Sequence, residues 1–332
     1  MVETKNILVT GGAGFIGSHL VDELLERGHN VVVLDNLRNG SLDSLRQNLS
    51  NNAFRFVEGD VTNFDVGCLA TAGIDTVYHL ACLGVRHSIH SPMENHKVNA
   101  EGTLALLQAA LKNKVRKFFY ISSSEIYGDV SRFPIDEAVL PNPSTVYGAS
   151  KLVGEHYTNA FYRCYGLATT VLRIFNNYGP RAHYEGDAGE LIPRTIVNIL
   201  YGLKPIIFGD GHATRDFIYV EDTAKILVNL LDHPEIFGET INIGTGIEIT
   251  IKNLVETLLL LMGKESLGIK YLDPRPGDLP RLWVDTGKLL RLTGLKPTIM
   301  FEEGLKQTIT FYRELAKDKN LVTVVREKNW EI

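Results

Sequence analysis

Short apolar runs alternate with longer amphipathic stretches in the first half of this chain. The apolar runs are Asn6–Thr10, Val31–Leu34, Phe54–Val57, Thr76–Leu80, Phe118–Ile121 and Thr169–Arg173. Runs of this length between polar or glycine-rich segments predict buried strands. Helical segments are predicted between several of them, at 15–27, 99–112 and 147–165. Strands that alternate with helices at this spacing indicate an α/β fold with a doubly wound parallel sheet.

The pattern changes after Asn176. Loop-rich segments are followed by predicted helices at 191–200 and 250–262 and by predicted strands at 205–208, 240–243 and 269–272. We interpret residues 1–176 as one domain, to which about 216–243 return. Residues 177–215 and 244–317 then form a smaller mixed α/β domain that binds substrate. The tail, 318–332, is polar apart from 321–325, which is either a peripheral strand or a partner contact.

Composition and charge exclude several classes of protein. The 332 residues are 44% hydrophobic and 22% charged, as in ordinary soluble proteins, and the net charge of -5 offers no general basic surface for nucleic acid. No run of about 18 apolar residues and no signal peptide is present, so no membrane span is predicted. The three cysteines lack a metal-binding spacing, so we predict reduced thiols, no metal and a cytoplasmic protein.

A glycine-rich turn follows the first predicted strand and opens a helix, with glycines at Gly11, Gly14 and Gly17. Such a turn lets the backbone approach a pyrophosphate at the helix N-terminus. Asp35 closes the next strand, where a dinucleotide-binding (Rossmann) fold places the carboxylate that holds the ribose hydroxyls. Asp35 and the following Asn36 favour NAD, because a carboxylate repels the 2′-phosphate of NADP. Arg38 is the one residue that could offset this repulsion.

Two further positions have both a binding and a purely structural interpretation. Asp60 and Val61 end the third strand, where they could contact an adenine, but Asp60 could also cap a turn. Asn99 stands at the predicted start of a helix, where it could be only an N-cap.

Hydroxyl groups and a phenol form the candidate catalytic group. Ser122, Ser123, Ser124 and Glu125 follow the fifth strand, and Tyr147 and Lys151 lie one turn apart on one helix face. An ammonium beside a phenol lowers the tyrosine pKa from about 10, and a phenolate can accept a proton from a sugar hydroxyl. A Tyr-x-x-x-Lys pair alone is more often ordinary helix surface, so its meaning depends on the rest of the chain.

Taken together, the motifs resemble those of the extended short-chain dehydrogenases/reductases, specifically the NAD-dependent nucleotide-sugar epimerase/dehydratase family that includes UDP-glucose 4-epimerases. The resemblance covers roughly residues 5–315 and rests on the segments 10–17, 34–36, 59–61, 79–81, 99–103, 122–124, 147–151, 173–180, 215–222 and 275–278.

The resemblance implies a role for each residue of the candidate catalytic group. Tyr147 is implied as the base at the sugar 4-hydroxyl, Ser123 as its hydrogen-bonding partner and Lys151 as the residue that also holds the nicotinamide ribose. Tyr127 is expected to be structural. NAD is the implied cofactor, with contacts from Gly11, Gly14, Phe15, Ile16, Gly17, Asp35, Asn36, Asn39, Asp60, Val61, Leu80, Ala81, Asn99, Ser122, Tyr147 and Lys151.

The implied substrate is a nucleotide sugar, most simply a UDP-sugar. Asn176 matches a residue that binds its diphosphate, and Arg215 and Arg275 match the arginines that grip its phosphates, which suits the bidentate geometry of guanidinium. Leu191 begins the matching nucleotide-contact helix, and Ser124 is also expected to contact substrate.

Two residues depart from the galactose epimerases within this resemblance. Glu190 stands where many of those enzymes have an Asn, and we expect its carboxylate to point away from the diphosphate. A Lys often found shortly after the motif at 79–81 is absent, and the stretch 84–88 instead resembles epimerases of uronic-acid or N-acetylated UDP-sugars. Its Arg86 either binds a sugar carboxylate or is simply solvated.

Glu125 leaves the reaction open. An acid at this position resembles the 4,6-dehydratases and the UDP-glucuronate decarboxylases. Once C4 is a ketone the C5 proton is acidic, and a carboxylate near C5 can remove it and start loss of water from C6. A plain 4-epimerase needs no C5 base, and Ser124 stands where the dTDP-glucose dehydratases have an Asp.

The leading hypothesis from the sequence is a UDP-sugar 4-epimerase that works through a transient 4-keto sugar. C5 chemistry is the alternative, and a non-catalytic NAD-binding regulator is a third possibility. The resemblance also implies a homodimer that packs through the helices at 99–112 and 147–165.

Overall fold

A parallel sheet forms the centre of the computed structural model, which describes residues 3–275 and 277–330. The strands are β1 (Asn6–Thr10), β2 (Asn30–Asp35), β3 (Phe54–Glu58), β4 (Thr76–His79), β5 (Lys117–Ser123), β6 (Ala168–Ile174), β7 (Asn176–Tyr178), β8 (Ile206–Phe208), β9 (Thr214–Arg215), β10 (Phe217–Tyr219), β11 (Thr240–Ile243), β12 (Ile249–Thr250), β13 (Lys270–Leu272) and β14 (Arg281–Leu282). Within the described residues the central sheet has seven strands in the order β11-β6-β5-β4-β1-β2-β3.

Helices cover both faces of this sheet and build the second lobe. They are α1 (Phe15–Glu26), α2 (Phe64–Thr71), α3 (Val85–His90), α4 (Pro92–His96), α5 (Gly102–Lys112), α6 (Val146–Tyr165), α7 (Leu191–Leu200), α8 (Val220–Asn229), α9 (Ile251–Met262), α10 (Gly287–Thr293) and α11 (Phe301–Asp318). Among the described residues, no helix combines the length and apolar character needed to cross a membrane.

The apolar runs are buried because both faces of the sheet are covered. Ile7 and Val9 of β1 belong to the core on one face, and Leu8 belongs to the core on the other. Alternate residues of a strand point to opposite faces, so a strand covered on both sides has to be continuously apolar. The predicted Rossmann-type α/β fold is confirmed, and the six strands predicted in the first half of the chain all lie in this sheet.

Two elements from the later part of the chain pack against the first part, residues 1–176. Strand β11 pairs in parallel with β6, with Ile243 opposite Ile174, and becomes the edge of the central sheet. Helix α8 packs against α1. Helix α7, which precedes these two elements, and α9 and α11, which follow them, enclose a separate core that includes Ile196, Leu258 and Ile309.

Two local predictions are wrong. Asn99 does not start a helix, because α4, a π-helical turn at Lys97–Glu101 and α5 follow one another without a break. The apolar tail residues do not form a strand: Leu321–Val324 is a 3-10 turn. Leu321 is buried in the core of the second lobe, whereas Val324 is exposed, so only part of this apolar group is covered by its own chain.

Candidate functional site

One cleft runs along the carboxyl ends of the central strands and is bounded on the other side by the second lobe. Parallel strands bring the residues that follow them to one edge of a sheet, which is where ligands bind in such folds. The cleft brings together nearly all the predicted residues, namely Gly11, Gly14, Phe15, Ile16, Gly17, Asp35, Asn36, Asn39, Asp60, Val61, Leu80, Ala81, Arg86, Ser122, Ser123, Ser124, Glu125, Tyr147, Lys151, Asn176, Arg215 and Arg275. Asn99 and Leu191 are not among the residues that line it.

The glycine turn and Asp35 are held together at the cofactor end of the cleft. Gly11 has φ +70, and a Cβ there would lie 2.7 Å from the Ala81 nitrogen, so the turn needs glycine. The Asp35 carboxylate accepts hydrogen bonds from the backbone nitrogens of Ala13 at 3.0 Å and Leu37 at 2.8 Å. Burial raises the pKa of Asp35, although these two hydrogen bonds oppose the shift. A carboxylate beside the N-terminus of α1 fits the ribose of a dinucleotide.

Arg38 makes an ion pair with a carboxylate of its own chain. Its guanidinium donates to both carboxylate oxygens of Glu94, with 2.9 Å from Nη2 to Oε2, and lies 3.2 Å from Nε2 of His87. This pairing reduces its capacity to neutralise a 2′-phosphate, which agrees with the preference for NAD expected from Asp35.

Asn99 supports the cleft from behind. Its side chain is buried, accepts a hydrogen bond from the Leu83 nitrogen at 2.8 Å and donates one to the Leu83 oxygen at 3.0 Å. It thereby fixes the segment after β4, which supplies Leu80 and Ala81 to the cleft wall. The motif at 99–103 indicated Asn99 as a cofactor contact. Its buried position behind the cleft wall does not support a direct contact.

Tyr147 and Lys151 both face the cleft, but their electrostatics differ from the prediction. The Lys151 ammonium donates to the Ile121 oxygen, lies 4.4 Å from the Tyr120 ring centroid, and has its pKa lowered by burial. Burial, followed by Cys82, raises the pKa of Tyr147 well above 10, while a hydrogen bond with Ser123 acts in the opposite direction. The expected lowering of the Tyr147 pKa by Lys151 is therefore wrong for this arrangement, because burial dominates.

A buried charge network lies beneath β5 and was not found from the sequence. Glu155 on α6 accepts hydrogen bonds from Ser122 and from Arg173, at 3.0 Å from Nε and 2.7 Å from Nη2. Arg173 also donates to the Tyr127 hydroxyl at 2.9 Å, which donates to Asn242 at 2.7 Å. Tyr127 thus has the structural role expected of it, and the network connects β5, β6, α6 and β11.

Asp278 joins the two arginines that are expected to bind phosphate. Its Oδ1 accepts a hydrogen bond at 2.7 Å from Nη2 of Arg215 and another at 2.7 Å from Nη2 of Arg275. Arg215 is further oriented by the backbone oxygens of Thr214 and Leu279, each at 2.8 Å. Asp278 thus holds both guanidinium groups at this end of the cleft. The sequence indicated both arginines but gave no role to Asp278.

Glu125 lines the cleft close to these arginines. Burial raises its pKa, while Arg215 and Arg275 act to lower it and Asp278 acts with burial. A carboxyl group with a raised pKa can serve as a general acid or base near neutral pH. Asn176 is also in place, with its Nδ2 3.4 Å from the Asp216 oxygen.

Arg86 is largely buried, so the solvated alternative is wrong. Its Nη1 lies 3.6 Å from the Glu190 carboxylate, and its Nε is buried without a hydrogen-bond partner in the described part of the chain. Glu190 thus faces an arginine of the cleft wall. Leu191 begins α7 and packs against the core of the second lobe instead of lining the cleft.

Comparison with known proteins identifies the family. The family model described as the NAD dependent epimerase/dehydratase family matches residues 7–244. This chain belongs to that family. A putative UDP-glucose 4-epimerase of Methanocaldococcus jannaschii is 37% identical over 310 residues, which cover 92% of this chain and 98% of the relative.

Relatives whose names give other activities are similar to this chain at nearly the same level of sequence identity. A dTDP-glucose 4,6-dehydratase of Streptomyces niveus is 34% identical, with 93% of each chain covered. A UDP-N-acetyl-alpha-D-glucosaminuronate decarboxylase of Bacillus cytotoxicus is 33% identical, with 95% of this chain and 99% of the relative covered. Overall identity therefore leaves the choice between isomerase and lyase open.

Solved structures agree with the family and its cofactor. The UDP-glucose 4-epimerase of Thermotoga maritima, crystallised with UDP-glucose, has a TM-score of 0.88 at 35% identity and covers 94% of this chain and 99% of its own. A UDP-glucuronic acid 4-epimerase mutant of Bacillus cereus, in complex with NAD and a fluorinated UDP-glucuronic acid, has a TM-score of 0.87 at 33% identity, with 93% and 99% covered. The cofactor of this family member is NAD.

Proposed function

We propose that this chain is a UDP-sugar 4-epimerase that works through a transient 4-keto sugar. The observation that carries the proposal is that Ser123, Tyr147 and Lys151 face the same cleft as Arg215 and Arg275. The hydroxyl and phenol groups lie at the end of β5, and the arginines come from the second lobe. A nucleotide sugar whose phosphates bind the arginines would extend its sugar towards Tyr147.

Each of these residues of the cleft then has its own role in the reaction. Tyr147 accepts the proton of the sugar 4-hydroxyl, and Ser123 hydrogen-bonds the same oxygen. Bound NAD⁺ would supply a hydride acceptor. Burial raises the pKa of Tyr147, and the positive charge of the cofactor would lower it. Lys151 adds a second positive charge to the same region. After the keto sugar has rotated, the cofactor would supply the returning hydride at the other face of C4, and Tyr147 gives the proton back to the C4 oxygen, which completes inversion.

Ser124 favours inversion at C4 over dehydration. It is buried in the cleft wall beside Glu125, and a serine hydroxyl is a poor acid for protonating a departing C6 hydroxyl. A 4-epimerase needs no such acid. The epimerase names of the M. jannaschii and T. maritima proteins support the same choice.

A second function, chemistry at C5, is favoured by one observation. Glu125 faces the cleft and has a pKa raised by burial, which suits a base that removes and returns a proton. The relative named as a UDP-N-acetyl-alpha-D-glucosaminuronate decarboxylase, 33% identical to this chain, supports this second function.

Product analysis in D₂O separates the two functions. Purified protein is incubated with UDP-glucose, UDP-GlcNAc, UDP-glucuronate and dTDP-glucose, and the products are identified by NMR. We expect a C4 epimer without deuterium at C5 and with turnover that survives Glu125→Gln. Deuterium at C5, or UDP-xylose from UDP-glucuronate, would show that the second function is correct. Absence of any product would favour a non-catalytic NAD-binding protein.

We further propose a cytoplasmic homodimer that packs through α5 and α6, as the family resemblance implies. Leu104 on α5 and Val153 and Tyr157 on α6 are only half-buried in the single chain, which supports an apolar contact there. Light scattering coupled to gel filtration tests the assembly, and a monomeric mass at micromolar concentration would refute it.

A further inference from the structure

Residues 183–190, here called the wall loop, precede α7 and form one side of the substrate half of the cleft. The Glu190 nitrogen donates to the His183 oxygen at 2.6 Å and closes the loop on itself. The Glu190 carboxylate lies 3.6 Å from Nη1 of Arg86. The position of the wall loop therefore determines how much of the Arg86 guanidinium is available to a ligand in the cleft.

The C-terminal segment, residues 321–330, holds the wall loop from outside. The Gly186 nitrogen donates to the Val324 oxygen at 3.1 Å. The Asn329 side chain, in a residue only 1% exposed, donates to the Gly189 oxygen at 2.9 Å and lies 3.5 Å from the Asp187 oxygen. A buried amide that binds two carbonyl groups of one loop restricts that loop strongly, because each carbonyl would otherwise lose its partner.

Arg194 on α7 links the same two segments. Its Nη2 donates to the Arg326 oxygen and, at 2.9 Å, to the Glu327 oxygen. Gly189 lies against the stem of this arginine, where an added Cβ would be 2.8 Å from the Arg194 Cδ. The wall loop, α7 and the C-terminal segment are thus packed as one unit.

Both ends of the C-terminal segment are anchored. Leu321 is buried in the core of the second lobe, and the Trp330 ring packs edge-on against Phe208 with 4.7 Å between centroids. The wall loop is also tied to the NAD-binding half of the chain, because Nε2 of His90 lies 3.0 Å from the Asp187 carboxylate.

We propose that the C-terminal segment is a strap that fixes the wall loop in its substrate-binding position, with Asn329 as its positioning residue. The proposal rests on the proposed function in that the cleft binds a nucleotide sugar. It assigns a role in substrate affinity to a segment that contributes no group to the cleft itself. The strap acts through the loop, so its loss weakens substrate binding and leaves the NAD-binding residues unchanged.

Asn329→Ala tests the strap. We expect hydrogen exchange of the backbone amides in 184–190 to become faster and KM for the nucleotide sugar to rise about 10-fold, since apparent affinity falls with the fraction of molecules whose loop is in place. The turnover number should change less than about 3-fold, and NAD content should stay the same, because Tyr147 and the glycine turn are untouched. A chain that ends at Val325 keeps Leu321 in the core and should show a larger effect of the same kind.

Asn320→Ala is the matched control, since Asn320 is exposed at the start of the 3-10 turn and its side chain makes no cap hydrogen bond. Unchanged exchange of the wall loop in Asn329→Ala would overturn the proposal. Faster exchange with unchanged KM and unchanged UDP-glucose affinity in calorimetry would overturn it as well. If the unaltered chain turns over no nucleotide sugar, the proposed function fails, and loop exchange and UDP-glucose binding still decide whether the strap acts.

Discussion

Replacing the buried Glu155 by Gln removes the negative charge that compensates the positive charge of Arg173 beneath β5. The Glu155 side chain is 2% exposed and that of Arg173 is 7% exposed, so water cannot replace the lost partner. The amide of Gln would also direct hydrogen-bond donors at a guanidinium that has only donors of its own. Removing one member of such a buried pair typically costs about 3–5 kcal/mol.

This cost translates into a measurable change in melting temperature. An unfolding entropy of about 2.1 cal/mol/K per residue gives roughly 0.7 kcal/mol/K for 332 residues, so the loss is about 4–7 °C. Differential scanning calorimetry of the NAD-loaded protein measures it. Turnover should fall as well, because Glu155 lies one helical turn after Lys151 on α6.

Two further variants test the role of the Glu155–Arg173 pair. Glu314→Gln removes an exposed helical pair with Lys317 on α11 and should change stability by less than about 0.5 kcal/mol. The double variant Glu155→Met with Arg173→Met should recover much of the loss, since apolar replacement of a whole buried pair is often neutral. A melting temperature of Glu155→Gln within 1 °C of the unaltered protein, or a double variant less stable than the single one, would contradict the role given to the pair.

Three other perturbations follow from the site. Tyr147→Phe should abolish turnover while the purified protein retains NAD, measured by absorbance after denaturation; retained turnover would exclude the phenol as the base. Asp35→Ala should weaken NAD binding about 10-fold or more, measured by equilibrium binding to the apoprotein, because the charged ribose contact is lost; equal affinity would contradict the assignment. Burial lowers the pKa of His79 to about 3 and that of His19 to about 4. The unfolded state therefore binds more protons below pH 6.5, and stability should be full above that pH and fall by about 1.4 kcal/mol per pH unit and histidine between pH 6.5 and the folded-state pKa of each. Melting curves at pH 7.5 and 5.5 test this, and a His19→Gln variant with an undiminished pH dependence would argue against it.

The sequence predicted those parts of the site that depend on strand ends. Ser123 and Asp35 stand at the ends of apolar runs, and parallel strands bring such ends to one edge whatever the rest of the chain does. The spacing of Tyr147 and Lys151 likewise determines that they share a helix face. These local rules suffice to bring the candidate catalytic and cofactor-binding residues to one cleft.

Other features depend on contacts between distant segments, which periodicity does not encode. Asp278 pairs with Arg215, which is 63 residues away, and Asn329 reaches Gly189, which is 140 residues away. The pKa of Tyr147 was predicted with the wrong sign because the effect of Lys151 was considered without the burial of the phenol. Asn99 was recognised as a signature residue, but its contact with the backbone of Leu83 required the fold.

The position of β11 has a consequence for synthesis of the chain. Strand β6 carries Arg173, and in the described part of the chain the side of β6 that faces away from β5 pairs with β11, which follows 66 residues after the end of β6. Until residue 243 has left the ribosome, β6 remains an unpaired edge with apolar faces, the kind of edge that promotes association between chains. The second lobe begins between these two strands, so nascent chains that stall within 177–239 are expected to be the most dependent on chaperones.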